Sequence, residues 1–258
     1  SKKLPQADIV CVQDYNKALV SPGFCRELIK LATKADKKVL VDPPLTDDYS
    51  KYAGATLIAP NRRETSNTVG FAVETPEDAS RAAKLIANKL KVEAVVITLD
   101  KDGAFLHTNE TSEHIPTIPR SVYDVTGAGD MVLAMLAVSL AAGCKYTTAV
   151  QLANIAGGIE VEKFGCATVT VDEIVNEIIA ENRGKTGKIR DIDMLIDELN
   201  FYRRQKETVV FTNGCFDVLH RGHIEFLKFC KRQGDVVVLG LNSDDSVRQI
   251  KGSGRPIN

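Results

Sequence analysis

The chain has no surplus of charge. Lysine and arginine total 33, aspartate and glutamate 34. That balance removes any global pull toward nucleic acid or an anionic membrane, so anion binding has to be local. Long hydrophobic runs are also missing: the longest, Met131 to Ala142, is too short to span a bilayer and contains Ser139. No charged-then-apolar leader opens the sequence. The six cysteines are scattered without a CxxC pair. That argues against a disulfide framework or a structural zinc and fits a reduced, cytoplasmic protein. No short-period repeat is visible. What remains is ordinary for a globular protein: 258 residues, 44% of them hydrophobic, enough for one large domain or two modest ones.

Strand-like and helix-like segments alternate through the first half. Asp8 to Val12, Lys38 to Asp42, Thr56 to Ala59 and Ala94 to Thr98 read as strands. Gly103 to His107 reads as an antiparallel neighbour of the last of these. Gly23 to Lys34 has helical spacing, with Phe24, Leu28, Ile29 and Leu31 on or near one face. Thr75-Pro76-Glu77-Asp78 is a helix start, with Thr75 as cap and Pro76 in the first helical position. This alternation predicts an α/β fold with a largely parallel sheet covered on both faces. Residues 181–191 are polar and contain glycine, as a linker would. Ile192, Leu195, Ile196 and Leu199 then have helical spacing. Thr208 to Thr212, Ile224 to Arg232 and Asp235 to Leu241 read as strand, helix and strand of a second α/β unit. The expected spans are 1–180 for the first domain, 181–206 for linker and helix, and 207–258 for the start of the second. A doubly wound domain needs more strands than 207–258 supplies, so the second domain is expected to be unfinished.

The first chemical motif is Asp124-Val-Thr-Gly-Ala-Gly-Asp130, leading into a strongly helical apolar stretch. Thr126, Gly127, Ala128 and Gly129 allow a turn whose N–H groups point one way, and a helix N-terminus adds partial positive charge there. Such a cradle suits a transferring phosphoryl group. Asp130 beside it is placed to take a hydroxyl proton. On spacing alone, a plain capped helix explains these residues equally well.

Several other stretches occur in a matching order. The motif resembles the C-terminal signature of the ribokinase-like (PfkB-type) sugar kinases. Asp14-Tyr-Asn-Lys-Ala18 resembles that family's DYxKG segment, and Asn61-Arg-Arg-Glu64 its NxxE motif. Thr98-Leu-Asp-Lys-Asp-Gly103 resembles its nucleotide-side loop, and Asn154 falls where the family lines the adenine pocket. The resemblance implies a doubly wound ribokinase-like sheet, Asp130 as catalytic base and Gly127 to Gly129 as anion hole. It also implies ATP as donor, Asn61 and Glu64 near the phosphates, Glu64 beside Mg2+, and a monovalent cation as a further candidate. Ala18, Pro44 and Asp100 depart from the family pattern, at positions where glycine, a polar or basic residue, and glycine are usual. Taken singly, Asn61, Glu64, Asp42 and Asn154 each have an ordinary structural explanation. The family's N-terminal portion, with its early glycine motif and much of its sugar pocket, has no counterpart in this sequence.

The second motif is Thr212-Asn-Gly-Cys-Phe-Asp-Val-Leu-His-Arg-Gly-His223. His220 and His223, three apart at a helix start, lie on one face and can donate to phosphate oxygens. Gly222 permits close approach, and Asn213-Gly214 is expected to form the turn after the strand, where such sheets bind ligands. A metal reading of the histidines lacks a third ligand at suitable spacing. The segment, HxGH included, resembles the cytidylyltransferase-like family. That resemblance implies direct attack of a substrate phosphate on the nucleotide α-phosphorus, with Phe216 and Asn242 among the nucleotide-binding residues. Lys251 and Arg255 match a subgroup of that family and read equally well as a solvated basic loop.

The partners implied are a small sugar phosphate and ATP, without nucleic acid or membrane, and a homo-oligomer is allowed for. Three readings stay open. The chain belongs to an enzyme that phosphorylates a sugar and then activates it with a nucleotide. Or it is a catalytically incomplete nucleotide-binding fragment. Or it pairs a different sugar kinase with a cytidylyltransferase, which preference for CTP over ATP would reveal.

Overall fold

The computed structural model describes residues 4–118, 120, 123–165 and 167–257. Ser1 and Asn258, the outer ends of the expected domain spans, lie outside them. The chain forms two compact units, Ser1–Glu177 and Ile178–Asn258.

The first unit is built on a six-stranded sheet in the order β1 (Ile9–Gln13), β2 (Lys38–Asp42), β3 (Leu57–Ile58), β4 (Ala94–Thr98), β5 (Ala104–Thr108), β6 (Ser112–Ile115). The first four strands are parallel, and β5 and β6 return antiparallel. The strand period of two sorts the apolar residues between two cores. Val39, Val41, Val95 and Ile97 face α1 (Pro22–Lys34) and α3 (Pro76–Leu90). Leu40, Ala94 and Val96 face α4 (Ala128–Ala141) and α5 (Tyr146–Val161). Burial on both faces explains why these strands read as unbroken apolar runs. Each fully buried aliphatic side chain contributes roughly 1.5–3 kcal/mol.

The α3 cap is as expected. Thr75 Oγ1 accepts from the Asp78 N–H at 3.2 Å, and the Asp78 carboxylate accepts from the Thr75 N–H at 3.1 Å. In α1, Phe24 is turned to solvent, contrary to the helical-face reading, and Cys25, Ile29 and Ala32 are the buried positions. The buried stripe keeps the expected Ile29, with Leu28 packed beside it, and replaces Phe24 by the small Cys25 and Ala32, which let α1 approach the sheet.

The polar stretch expected as a linker is helical as far as Thr186, as the end of α6 (Val171–Thr186). The helix runs through Gly184, since one glycine costs a helix only about 1 kcal/mol, and ends before Gly187. In the second unit, α7 (Ile192–Arg204) precedes β7 (Val209–Gly214), α8 (Arg221–Arg232), β8 (Val236–Leu241) and α9 (Asp244–Lys251). Strands β7 and β8 pair in parallel across the α8 crossover. Asn213 and Gly214, expected in the turn, are the last residues of β7, paired with Gly240 and Leu241. The ladder continues because Asn242 donates its N–H to the Gly214 carbonyl at 3.1 Å.

No helix among the described residues is long and apolar enough to cross a membrane.

Candidate functional site

In the first unit the carboxyl ends of β1 and β2 open onto a cleft of about 410 Å³. Asp14, Tyr15, Asp42, Pro43 and Glu64 are among its lining residues. This is where a parallel α/β sheet leaves room for a ligand, because chain and helices turn away from the strand ends.

Asp130 lies in the first turn of α4, where Gly127 is the N-cap in a left-handed conformation (φ 99°). Ahead of it, the Thr126 N–H donates to Asp124 Oδ1 at 2.9 Å, tightening the turn. The first N–H groups of a helix have no intrahelical acceptor; that of Ala128 turns back to the Val125 carbonyl at 3.4 Å, and that of Gly129 remains suited to an anion. Tyr15 donates its hydroxyl to both Asp130 oxygens at 3.1 Å, and the Gln13 amide donates to Asp130 as well. Gly129 lies against Asp42: a Cβ there would be 3.6 Å from Asp42 Oδ2.

Asp42 is the residue the sequence reading undervalued. Its signal was a carboxylate at the end of a parallel strand, just before Pro43. Burial, with the Asp130 charge adding to it and a Gln13 hydrogen bond opposing it, raises Asp42 to about 6. Glu64 is raised to about 7, first by burial, with the Asp42 charge adding to it. Glu64 also completes a capping box for α2 (Arg62–Val69). Its carboxylate accepts from the Asn61 N–H at 2.8 Å, and Asn61 Oδ1 accepts from the Glu64 N–H at 2.9 Å. A parallel bridge joins Asn61 to Thr98 at the end of β4. Tertiary structure therefore gathers Asn61, Glu64 and Thr98 in one group, and Asp130 with its glycines beside Asp42 in another.

Gly103 and Asn154 meet elsewhere, around Ile115. Asn154 donates its side-chain amide to the Ile115 carbonyl at 2.9 Å. A Cβ on Gly103 (φ 91°) would stand 2.3 Å from that same oxygen. Both residues thus have a packing reason for their identity. Arg62 pins the intervening loop through Asp100 (3.2 Å), Asp102 (2.7 Å) and the Leu99 carbonyl (2.9 Å).

Asp14 is an anchor of the cleft wall. Burial works to raise its carboxyl, but Lys51 at 2.5 Å and the Tyr52 hydroxyl at 2.6 Å outweigh that and hold it below the usual carboxylate range.

Among the described residues, no three His, Cys, Asp or Glu side chains gather as a metal site. Two hard carboxylates facing one cleft nevertheless fit Mg2+, which takes one or two protein carboxylates and completes its shell with water and substrate phosphate.

The second unit has its own constellation. His220 is the N-cap of α8, and its Nδ1 accepts from the Gly222 N–H at 3.1 Å. That bond assigns the His220 proton to Nε2, leaving a donor for a ligand. The two imidazoles stack at 3.8 Å, and the Phe216 ring lies 4.9 Å from His223. Gly222 is required by the His220 ring, which a Cβ would meet at 2.9 Å, and Gly214 by the Phe216 ring, at 2.7 Å. Asn242, at the end of β8, donates its amide to Ser246 Oγ at 3.0 Å. Buried Asp217 was not singled out from sequence. It accepts from Arg255 at 2.6 Å and from the Ile257 N–H at 2.5 Å, tying the segment after α9 to the loop before the histidines.

Comparison with known proteins agrees with this geometry. Residues 1–173 match the pfkB family carbohydrate kinases, and residues 211–257 match the cytidylyltransferase-like family. The "Bifunctional protein HldE" of Pelobacter propionicus is 42% identical over 97% of this chain and 51% of its own length. That of Campylobacter fetus is 42% identical over 97% of this chain and 53% of its own. The chain therefore spans about half the length of the curated relatives it matches. Arabidopsis thaliana ribokinase, solved with ribose and ATP, is 26% identical, with a TM-score of 0.56 over 64% of this chain and 53% of its own. Escherichia coli phosphofructokinase-2, solved with potassium, is 22% identical and shares the fold. Its TM-score is 0.60 over 68% of this chain and 58% of its own. With residues 1–173, two thirds of its length, covered by the family match and both helix-start motifs in place, the chain belongs to the pfkB family of carbohydrate kinases, followed by a cytidylyltransferase-like segment.

Proposed function

We propose that the chain carries the phosphoryl-transfer centre of a sugar kinase and the nucleotide-binding start of an adenylyltransferase, two activities of one enzyme of ADP-heptose formation. On this reading ATP phosphorylates the anomeric hydroxyl of a heptose 7-phosphate. The resulting heptose 1-phosphate is then adenylylated, toward the activated heptose of bacterial lipopolysaccharide. The observation that carries the first step is the placement of Asp130 in the first turn of α4, held by the hydroxyl of Tyr15, which lines the cleft together with Asp42 and Glu64. The whole-chain match to proteins named "Bifunctional protein HldE" supports the pairing with the second step.

In the kinase step Asp130 accepts the proton of the attacking hydroxyl. The sugar oxygen bonds to the γ-phosphorus as the bond from that phosphorus to the bridging oxygen breaks, its electrons leaving with ADP. Backbone N–H groups of Gly127 to Gly129 meet the charge on the transferring group. Asp42 and Glu64 would hold Mg2+, which when bound neutralises phosphate charge. In the second step a sugar-phosphate oxygen attacks the α-phosphorus of ATP and pyrophosphate leaves. His220, through Nε2, and His223 donate to the crowded phosphate, with Phe216 buttressing the His223 ring.

The test is a pair of assays, ADP release and pyrophosphate release, run with ATP or CTP and with or without K+, the ion named in the phosphofructokinase-2 structure. Asp130→Asn should cut ADP release by roughly 10²–10⁴-fold and leave ATP binding in place. His223→Ala should affect only pyrophosphate release. ATP binding without turnover of any sugar phosphate would replace this reading with that of a nucleotide-binding fragment, and preference for CTP would reassign the second step.

A further inference from the structure

The last residue of β1, Gln13, stands between two carboxylates from distant parts of the chain. Its Nε2 donates to Asp42 Oδ2 at 3.3 Å, and also to Asp130 Oδ1, 117 residues away in sequence. A primary amide has two hydrogens and can give one to each side. Tyr15, two residues on, donates to Asp130 from another direction. Strand end, β2 end and α4 start are thus joined by one neutral side chain.

We propose that Gln13 is a positioning residue of the phosphoryl-transfer centre, its amide spanning Asp42 and Asp130 so that both carboxylates face the cleft at a set spacing. This rests on the kinase reading above and deepens it. Two like charges in a partly dry site repel, and without a bridge each would rotate toward water. A lysine in this place would also bridge them, but its full charge would weaken Asp130 as a proton acceptor and compete with a cation at Asp42. A neutral amide orients both and neutralises neither. An ionised carboxylate has about four acceptor positions, so the bonds from Gln13 and Tyr15 leave Asp130 room for a substrate hydroxyl.

Two variants separate positioning from packing. Gln13→Glu keeps the shape but removes both donated hydrogens and adds a third negative charge. Gln13→Leu removes the donors without adding charge. For phosphoryl transfer from ATP, the expectation is a fall in kcat of roughly 10-fold or more for Leu, a larger fall for Glu, and a KM for ATP within about twofold of the parent. A packing role ranks them the other way, with the isosteric Glu nearer the parent, and that order overturns the proposal. So does a kcat within twofold of the parent in both variants. Thermal unfolding at mildly alkaline pH gives a readout free of turnover. Gln13→Glu should unfold below Gln13→Leu, and added Mg2+ should narrow the difference. Equal midpoints would overturn the proposal. Full turnover in Asp130→Asn would instead refute the assignment of the base, and the order of the unfolding midpoints would still decide the role of Gln13.

Discussion

Glu64→Gln should stabilise the metal-free protein at alkaline pH while impairing its use of Mg2+. Burial raises the Glu64 carboxyl from an ordinary 4.5 to about 7, with the Asp42 charge contributing. A carboxyl whose folded value lies above its unfolded one favours folding while it is protonated in both states, below about 4.5. That contribution is lost as pH rises through the folded value of about 7. The interval corresponds to roughly 3 kcal/mol for a fully enclosed group. Glu64 is only half-buried, and screening by water reduces this to roughly 1–2 kcal/mol. Glutamine is uncharged and nearly isosteric, and its carbonyl oxygen can still accept from the Asn61 N–H, so the capping box is retained in part. The gain should appear as an increase in Tm of about 2–6 °C for a chain of this size. The assay is thermal unfolding of parent and variant at about pH 8 and about pH 5, each with chelator and with Mg2+. The gap should be open at the higher pH with chelator, shrink at the lower pH, and close or reverse with Mg2+, which the parent carboxylate binds better. A gap independent of pH, or a variant less stable than the parent at the higher pH, would refute the reasoning. Kinase activity should show a higher Mg2+ requirement, and an unmoved Mg2+ titration would remove Glu64 from the metal site.

Ala18 occupies a left-handed conformation at φ 65° without a side-chain hydrogen bond to offset the strain. Ala18→Gly should therefore raise stability by roughly 0.5–1 kcal/mol, the relief outweighing the extra freedom of the unfolded chain. Unchanged or lower Tm would show that the strain is already relaxed. Gly103→Ala should do the opposite. Its Cβ would meet backbone at 2.3 Å (Ile115 O) and 2.7 Å (Thr117 N), and backbone cannot swing aside. A loss of roughly 3 kcal/mol or more is expected by denaturant unfolding. A loss below about 1 kcal/mol would mean that β6 moves freely.

Local rules account for much of what could be read in advance. Thr75-Pro76 with Asp78 is a complete cap within four residues, so the start of α3 was legible. The apolar runs at Lys38–Asp42 and Ala94–Thr98 became strands with those bounds, because burial on both faces leaves no alternative to an unbroken run. That His220 and His223 stand at a helix start followed from helical spacing; that His220 is the N-cap was added by the structure. On α1 the expected face holds at Ile29 and Leu28 and fails at Phe24, whose bulk gave it weight in the sequence although Cys25 and Ala32 are the residues that pack closely on the sheet. Strand β6 and helices α6 and α9 were not anticipated. The α6 segment has weak periodicity and β6 is four residues held by pairing with β5, whereas α9 carries strong helical spacing in too short a stretch to be read as an element.

The sequence by itself determined most of the alternating elements, the two families of motif and the starts of α3 and α8, since these depend on neighbours within a few positions. Only the tertiary structure decided which of those ends share a cleft. It set Asp42 against Gly129 and Asp130, placed Gln13 between the two carboxylates, and seated Asp217 under Arg255, 38 residues away. The physical reason is that a carboxylate's charge state and partners depend on burial and on groups from other strands. A strand-end Asp has the same local sequence whether it faces water or the charge of a second carboxylate.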